Sequence, residues 1–328
     1  MIPGQPMIPG RTTVRRVLAA AAVSLCLATL ALCQSAGSAG AFARMGFGAR
    51  GMGMGNALTA VDSGEISTYY NPALAPYQAQ GTVMASAGIL SLDRYLNFLS
   101  YTQALPPQAG ISAGIINADV RNIDGRDADG QPTETYSTTE NQFYLAFGNK
   151  VDPHVSIGAA IKMYYSKLFD QLTSTTVGFD IGAFIHASDE VGIGLVLQDL
   201  NSKYKWDTKA LYGDNGKTTE DQFPTRRRVA VSYSPHGLPA VLDAEFENTS
   251  DQVNMLRFGG EYSFSPNFIL RGGADRWELS SNPTGVKPSF GFTAKNSFNG
   301  WTAAVDYAFV IEGYAPQSMH VISISAIF

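Results

Sequence analysis

From Gln80 to Phe328, apolar residues alternate with small or polar ones in segments of roughly ten residues, separated by clusters of Gly, Pro, Asn and Asp. A period of two places one side-chain set on each face of a strand. The alternation predicts fourteen strands: Gln80–Leu92, Arg94–Ala104, Gly110–Val120, Thr138–Asn149, His154–Leu168, Ser174–Ala187, Glu190–Leu200, Thr225–Ser234, Ala240–Asn248, Val253–Phe264, Asn267–Glu278, Gly285–Lys295, Gly300–Ile311 and Ser318–Phe328. Repeated segments of this length are the pattern of a transmembrane β-barrel. The expected fold is therefore all-β, a 14-stranded antiparallel transmembrane β-barrel over residues 80–328. Its even count brings both ends to one side of the membrane.

Loop lengths, which played no part in that parse, agree with it. The longest connections, 121–137 and 201–224, follow the third and seventh segments. Those after the even-numbered segments are short: LPPQA, KVDPH, SDE, SPHGLP, SP and NSFN. Long loops outside and tight turns inside mark an outer-membrane barrel rather than a many-stranded sandwich.

Within strands the faces separate cleanly. Leu256, Phe258, Tyr262 and Phe264 share one face, with Arg257, Gly259, Glu261 and Ser263 on the other. Leu242, Ala244 and Phe246 oppose Asp243, Glu245 and Glu247, and Trp301, Val305, Tyr307 and Phe309 oppose Thr302, Asp306 and Ala308. A charge facing the bilayer midplane costs roughly 2–4 kcal/mol, so the apolar sets are expected to meet lipid. The expected lumenal charges are Arg228, Asp243, Glu245, Glu247, Arg257, Glu261, Arg271 and Lys295, paired as a cross-strand ladder. Tyr233, Phe264, Phe268, Phe298, Trp301 and Phe328, near the short turns, would form an interfacial girdle.

The N-terminus gives the same address. Arg11, Arg15 and Arg16 precede an apolar run from Val17 to Leu32, and QSAGSAGAFA ends in an A-x-A pattern at Ala43. Residues 1–43 are expected to be a signal peptide cleaved after Ala43. The run is short and Ala-rich for a spanning helix, and Leu32 before Cys33 argues against lipidation. Cys26 and Cys33 leave with the signal, as do three arginines and no acid, so the net charge moves from −5 to about −8. A cysteine-free mature chain suits an oxidising compartment, and an acidic one argues against a nucleic-acid partner. The expected location is the bacterial cell outer membrane, with lipid as the primary partner.

Residues 44–79 do not alternate. They read as a Gly-rich turn, a short helix near Asn56–Val61, then a loop with an Asn71-Pro72 turn signal. The strings GARGMGMGNALTAV and YYNPAL within them resemble the N-terminal motif of PorV/PorQ-like outer-membrane proteins, relatives of the FadL-type transporters and TraF-like proteins. That resemblance implies a hatch packed inside the barrel, with Arg50, Gly53, Gly55, Asn56, Asp62, Asn71, Pro72 and Ala73 at the family's hatch positions. It also implies a non-enzymatic component or partner of type IX-like protein secretion, engaging secretion machinery or exported proteins. The alternative is a FadL-like passive transporter of hydrophobic small molecules.

Other chemistry stays below its bland reading. GARGMGMGN lacks the Gly-Lys-Ser/Thr ending and preceding strand of a phosphate loop. Asp124, Asp127 and Asp129 sit in a turn-rich loop without EF-hand spacing, and His154, His186, His236 and His320 show no metal spacing. No catalytic group, metal or cofactor is expected.

Overall fold

The computed structural model describes residues 37–78, 80–279 and 285–328; the expected signal residues 1–36 lie outside this set. Sixteen strands follow in chain order: β1 (Thr82–Ile89), β2 (Arg94–Leu105), β3 (Ala109–Arg126), β4 (Pro132–Asp152), β5 (Val155–Phe169), β6 (Leu172–His186), β7 (Val191–Leu200), β8 (Lys203–Asp207), β9 (Thr218–Gln222), β10 (Arg226–Tyr233), β11 (Ala240–Thr249), β12 (Asn254–Ser265), β13 (Phe268–Glu278), β14 (Lys287–Phe298), β15 (Trp301–Val310) and β16 (Met319–Ile327). All but β8 and β9 form one closed antiparallel barrel of fourteen strands, with β7 beside β10. Closure is made by β1 against β16, with Thr82 opposite Ile327 and Ile89 opposite His320.

The wall follows the alternation. On β1, Met84 and Ser86 are buried inward while Val83 is exposed outward. On β12, Arg257 is 3% exposed beside outward Phe258. Outward residues of neighbouring strands lie in register, as in the row Leu270–Phe292–Tyr307–Ile322 across β13–β16. This row gives lipid a continuous apolar surface. Near the short turns, the rings of Phe298 and Trp301 stack at 4.9 Å and those of Phe268 and Phe292 at 5.8 Å.

Three expectations need correction. The segment 121–137 is not mostly loop: β3 and β4 run on through it, leaving a turn at 127–131. At about 3.3 Å per residue, the 21 residues of β4 span roughly 70 Å, far beyond a hydrocarbon core of about 30 Å. Water bathes both faces of that extension, so no apolar alternation marked it. The segment 201–224 likewise contains the β8–β9 hairpin, whose first strand packs against β6 while β9 stays exposed. Tyr204, Trp206 and Phe223 are buried there, and Phe223 packs on Tyr164 at 4.8 Å. Finally, the helix expected near Asn56–Val61 lies earlier, at Gly48–Gly53, with a single turn at Ser67–Tyr70. Asn56 takes φ 59°, a left-handed conformation that stops a helix.

Candidate functional site

Residues 37–78 run among the inward-facing side chains, and nearly all of residues 47–61 and 66–75 are buried. The Gly48–Gly53 helix contacts β13, β14, β15, β16 and β1, whereas the 3₁₀ turn Pro72–Tyr77 contacts β2–β6. This segment meets a wall with two different halves.

One half is ionic. Lys162 on β5 pairs with Asp180 on β6 at 2.6 Å and Asp199 on β7 at 3.3 Å. The lattice continues from Asp199 to Arg226, which reaches Glu247 at 3.8 Å; Glu247 also pairs with Arg228 and Arg257, and Arg257 holds Glu245 and Asp275 as well. In a second network, Arg271 joins Glu261 at 3.0 Å and Asp306 at 2.9 Å. The segment plugs into both. Arg50 grips Glu261 through two bonds of 3.2 and 2.7 Å and donates to the Glu65 carbonyl at 2.8 Å. Burial alone would lower the Arg50 pKa, but the facing Glu261 carboxylate outweighs that and holds it raised. Asn56 donates to Asp275 at 2.9 Å, and the Thr59 hydroxyl donates to Glu245.

The other half, β16 with β1–β4, is apolar with scattered hydroxyls. Phe47 stacks on Tyr69 at 4.5 Å and meets Phe98 edge-on at 4.9 Å and Tyr144 at 5.8 Å. Met52, Met84, Leu96, Ile116 and Val321 complete this cluster. Inside it, Tyr70 accepts from the Phe47 amide at 2.9 Å and donates to Asn56 at 2.8 Å. Burial pushes its hydroxyl pKa well up, so it stays a neutral donor.

Between the halves, Asn71 fixes the chain to the wall. Its Nδ2 donates to the Thr59 carbonyl at 2.9 Å and to the Ala183 carbonyl of β6 at 3.1 Å, while Oδ1 accepts from the Ala73 amide at 3.0 Å. Pro72 follows at the first position of the 3₁₀ turn, and Ser156 of β5 donates to the Ala73 carbonyl at 2.7 Å. The approach is so close that a Cβ on Gly182 would sit 2.1 Å from Asn71 Oδ1, and one on Gly158 would sit 2.4 Å from the Pro72 carbonyl carbon. Glycine within a strand here admits another backbone.

Two cavities flank the segment. At the end carrying the long loops, a half-open cavity of about 300 Å³ is lined by Phe42, Met45, Leu96 and Met319, with Arg94, Arg276 and Lys287 also in its lining. At the short-turn end, about 380 Å³ opens beside Arg50, Glu65, Glu261 and Lys295.

The sequence-derived residues thus fall into place unevenly. Arg50, Asn56, Asn71, Pro72 and Ala73 contact the wall directly. Gly53 accepts from Ser289 through its carbonyl, and Gly55, at φ 61°, abuts Ala274. Asp62 meets His186 at 2.7 Å near the short turns. Of the lumenal charges, Arg228, Glu245, Glu247 and Arg257 share one network, and Glu261 and Arg271 join a second with Arg50 and Asp306. Asp243 lies inward beside the first, and neither it nor Lys295 makes an ion pair among the described residues, so the expected ladder is shorter at this end. Lys295 instead faces the lower cavity. Lys162, Asp180, Asp199 and Arg226 were missed. A bulge between Phe179 and Ile181 turns consecutive Gln198 and Asp199 both inward, which breaks the period of two. The loop acids act locally: Asp127 accepts from the amides of Asp129 and Gln131.

No protein-family model matches the chain, and no curated protein matches it. Among solved structures it is similar to the Pseudomonas putida toluene transporter TodX, with 12% identity and TM-score 0.60 over 86% of this chain and 96% of that one. It is also similar to a Pseudomonas aeruginosa FadL homologue, with 11% identity and TM-score 0.58 over 86% and 98%. At such identities the likeness establishes the fold alone, the closed fourteen-stranded antiparallel barrel described above, an architecture of the bacterial outer membrane. Nothing among these matches points to the PorV/PorQ family.

Proposed function

We propose that this barrel is a non-enzymatic, passive channel for hydrophobic small molecules, with residues 44–78 as its hatch. The observation that carries this reading is the 300 Å³ cavity at the outer end, whose lining residues Phe42, Leu96 and Met319 belong to the same apolar cluster as Phe47 and Phe98. Its volume lies at the small end of the range of ligand sites, roughly 300–1,000 Å³. An apolar body would rest on those residues, with any polar end near Arg94, Arg276 or Lys287. The names of the two similar barrels, a toluene transporter and a FadL homologue, lend support.

The test is accumulation of a hydrophobic fluorescent probe in cells whose own barrels of this type have been deleted. Expression of the wild type should raise uptake, and Met319→Glu, which places a charge in the cavity lining, should return it to background. Equal uptake with and without the barrel would overturn the proposal. The secretion reading draws on the hatch motif and gains one feature, the β3–β4 extension, as a surface for cargo or machinery. Co-purification of exported proteins that depends on residues 121–137 is its test.

A further inference from the structure

The outer wall changes chemistry abruptly across β2–β5. One outward row reads Leu99–Ile115–Phe143–Met163 in cross-strand register. One register step toward the long loops it becomes Asn97–Asn117–Asn141–Tyr165, and the next row is Tyr95–Asp119–Thr139–Lys167. The amides are linked: Asn97 donates to Asn117 at 3.2 Å and Asn117 donates to Asn141 at 3.0 Å. Asn117 also donates to Asp119 at 3.1 Å, and Arg121 both donates to Asp119 and lies over the Tyr95 ring at 4.8 Å. Above them opens a polar hollow of about 530 Å³, lined by Asn117, Asp119, Arg121, Thr135 and Ser137. On β14–β16 the wall stays apolar or aromatic one step above the row that includes Phe292 and Tyr307, with Phe290, Phe309 and then His320.

Amides cannot face hydrocarbon without cost, so the acyl layer ends between the leucine row and the asparagine row. The polar rows then stand at the depth of the outer-leaflet headgroups, and they face outward, away from the lumen and its solute. Neighbouring amide, carboxylate and hydroxyl groups match the paired donors and acceptors of vicinal sugar hydroxyls. Tyr95 offers a ring face and Arg121 a cation beside it. We propose that this sector of the wall binds the sugar headgroup of an outer-leaflet glycolipid, whose acyl chains run down the row Leu99–Ile115–Phe143–Met163. Phosphatidylglycerol offers a single vicinal diol, too little to span the three linked amides of the row. The inference is independent of whether the lumen conducts.

The experiment uses the full barrel purified from outer membranes in mild detergent. Glycolipid retained per barrel is measured by mass spectrometry, followed by rebinding of purified lipopolysaccharide or phosphatidylglycerol. The wild type should retain and rebind lipopolysaccharide in preference to phosphatidylglycerol. The triple change N97L, N117L, N141L extends the apolar belt by one row and should weaken retention by roughly tenfold or more. His320→Leu, on the aromatic sector, should leave it unchanged. If the triple variant does not assemble, Arg121→Ala, with a half-exposed side chain, tests the same face. Equal retention by wild type and Asn or Arg121 variants, equal rebinding of the two lipids, or an equal loss in His320→Leu would each overturn the proposal.

Discussion

Replacing Asn71 with Ala should undock the hatch from the wall while leaving the barrel assembled. The side chain is fully buried and satisfies the Thr59 and Ala183 carbonyls and the Ala73 amide at 2.9, 3.1 and 3.0 Å. Each buried polar group left unpaired costs about 1–3 kcal/mol. The Thr59 carbonyl and the Ala73 amide lose their partner, whereas the Ala183 carbonyl keeps its strand, so the loss is about 2 kcal/mol at the low end and shifts the docked-to-undocked ratio by more than one decade. The fourteen-stranded ladder is untouched, since Ala183 uses its strand partners as before. Asn71→Asp isolates the cause. It keeps an acceptor for the Ala73 amide but points carboxylate oxygen at two carbonyls, so it should be at least as disruptive as Ala. Gly182→Ala approaches from the other side, since its Cβ would lie 2.1 Å from Asn71 Oδ1. Planar-bilayer recordings should show more frequent or larger openings in all three variants, with the heat-modifiable band unchanged on semi-native gels. Wild-type conductance in Asn71→Asp would refute the hydrogen-bond argument, and unchanged conductance after deleting 46–78 would refute the hatch itself.

Other outcomes follow from the same geometry. Arg50→Met leaves Glu261 with Arg271 alone; breaking a buried pair costs about 3–5 kcal/mol, so protease access to residues 44–78 should rise sharply in pulsed digestion. Tyr70→Phe orphans the Phe47 amide and should loosen the aromatic half by about 1–3 kcal/mol, read in the same digestion assay. Unboiled protein should migrate differently from boiled protein, and recovery in the soluble periplasmic fraction would contradict the barrel. Phe42 and Ala43 are buried, with Tyr69 donating to the Ala43 carbonyl at 2.8 Å, so intact mass should place the mature start upstream of Phe42 rather than after Ala43.

How much of this could be read from the chain depends on what surrounds each residue. The fourteen strands and their faces were legible because lipid outside and charge inside force Phe258 and Arg257 apart on neighbouring positions. The signal vanishes where that contrast does. Pro132–Tyr136 of β4 has water on both faces and carries no alternation, so it passed as loop. The bulge at Gln198–Asp199 hides the Lys162–Asp180–Asp199 cluster because two successive residues turn the same way. The hatch helix failed for a different reason. Its glycines argue against helix by propensity, yet they are required by contact, since a Cβ on Gly51 would stand 2.1 Å from the Tyr70 hydroxyl. Inward glycines in strands were a readable sign of the docking track and point to Gly158 and Gly182.

The two halves of the lumen hold the hatch by forces of different kind. Arg50–Glu261 and Asn56–Asp275 are directional and buried, so they resist any displacement that lengthens them and leave an uncompensated charge when broken. The contacts of Phe47 with Phe98 and Tyr144 are non-directional, and an apolar molecule can replace them with little loss, because one apolar surface substitutes for another. The Ala49 amide bond to Ser323 at 2.9 Å is the hydrogen bond that crosses this second seam near Phe47 among the described residues. On the proposed transport reading, a solute entering over Leu96 and Met319 would meet the seam that costs it least to part, while the ionic half would keep the hatch in register for reclosure. Cross-linking discriminates between the halves. Oxidising a cysteine pair at positions 49 and 323 should block probe uptake, whereas bridging a pair at positions 59 and 245 with a short bis-thiol-reactive linker, formation checked by mass, should leave it near the level of the unbridged protein. Equal block by both pairs would mean that the hatch moves as one body.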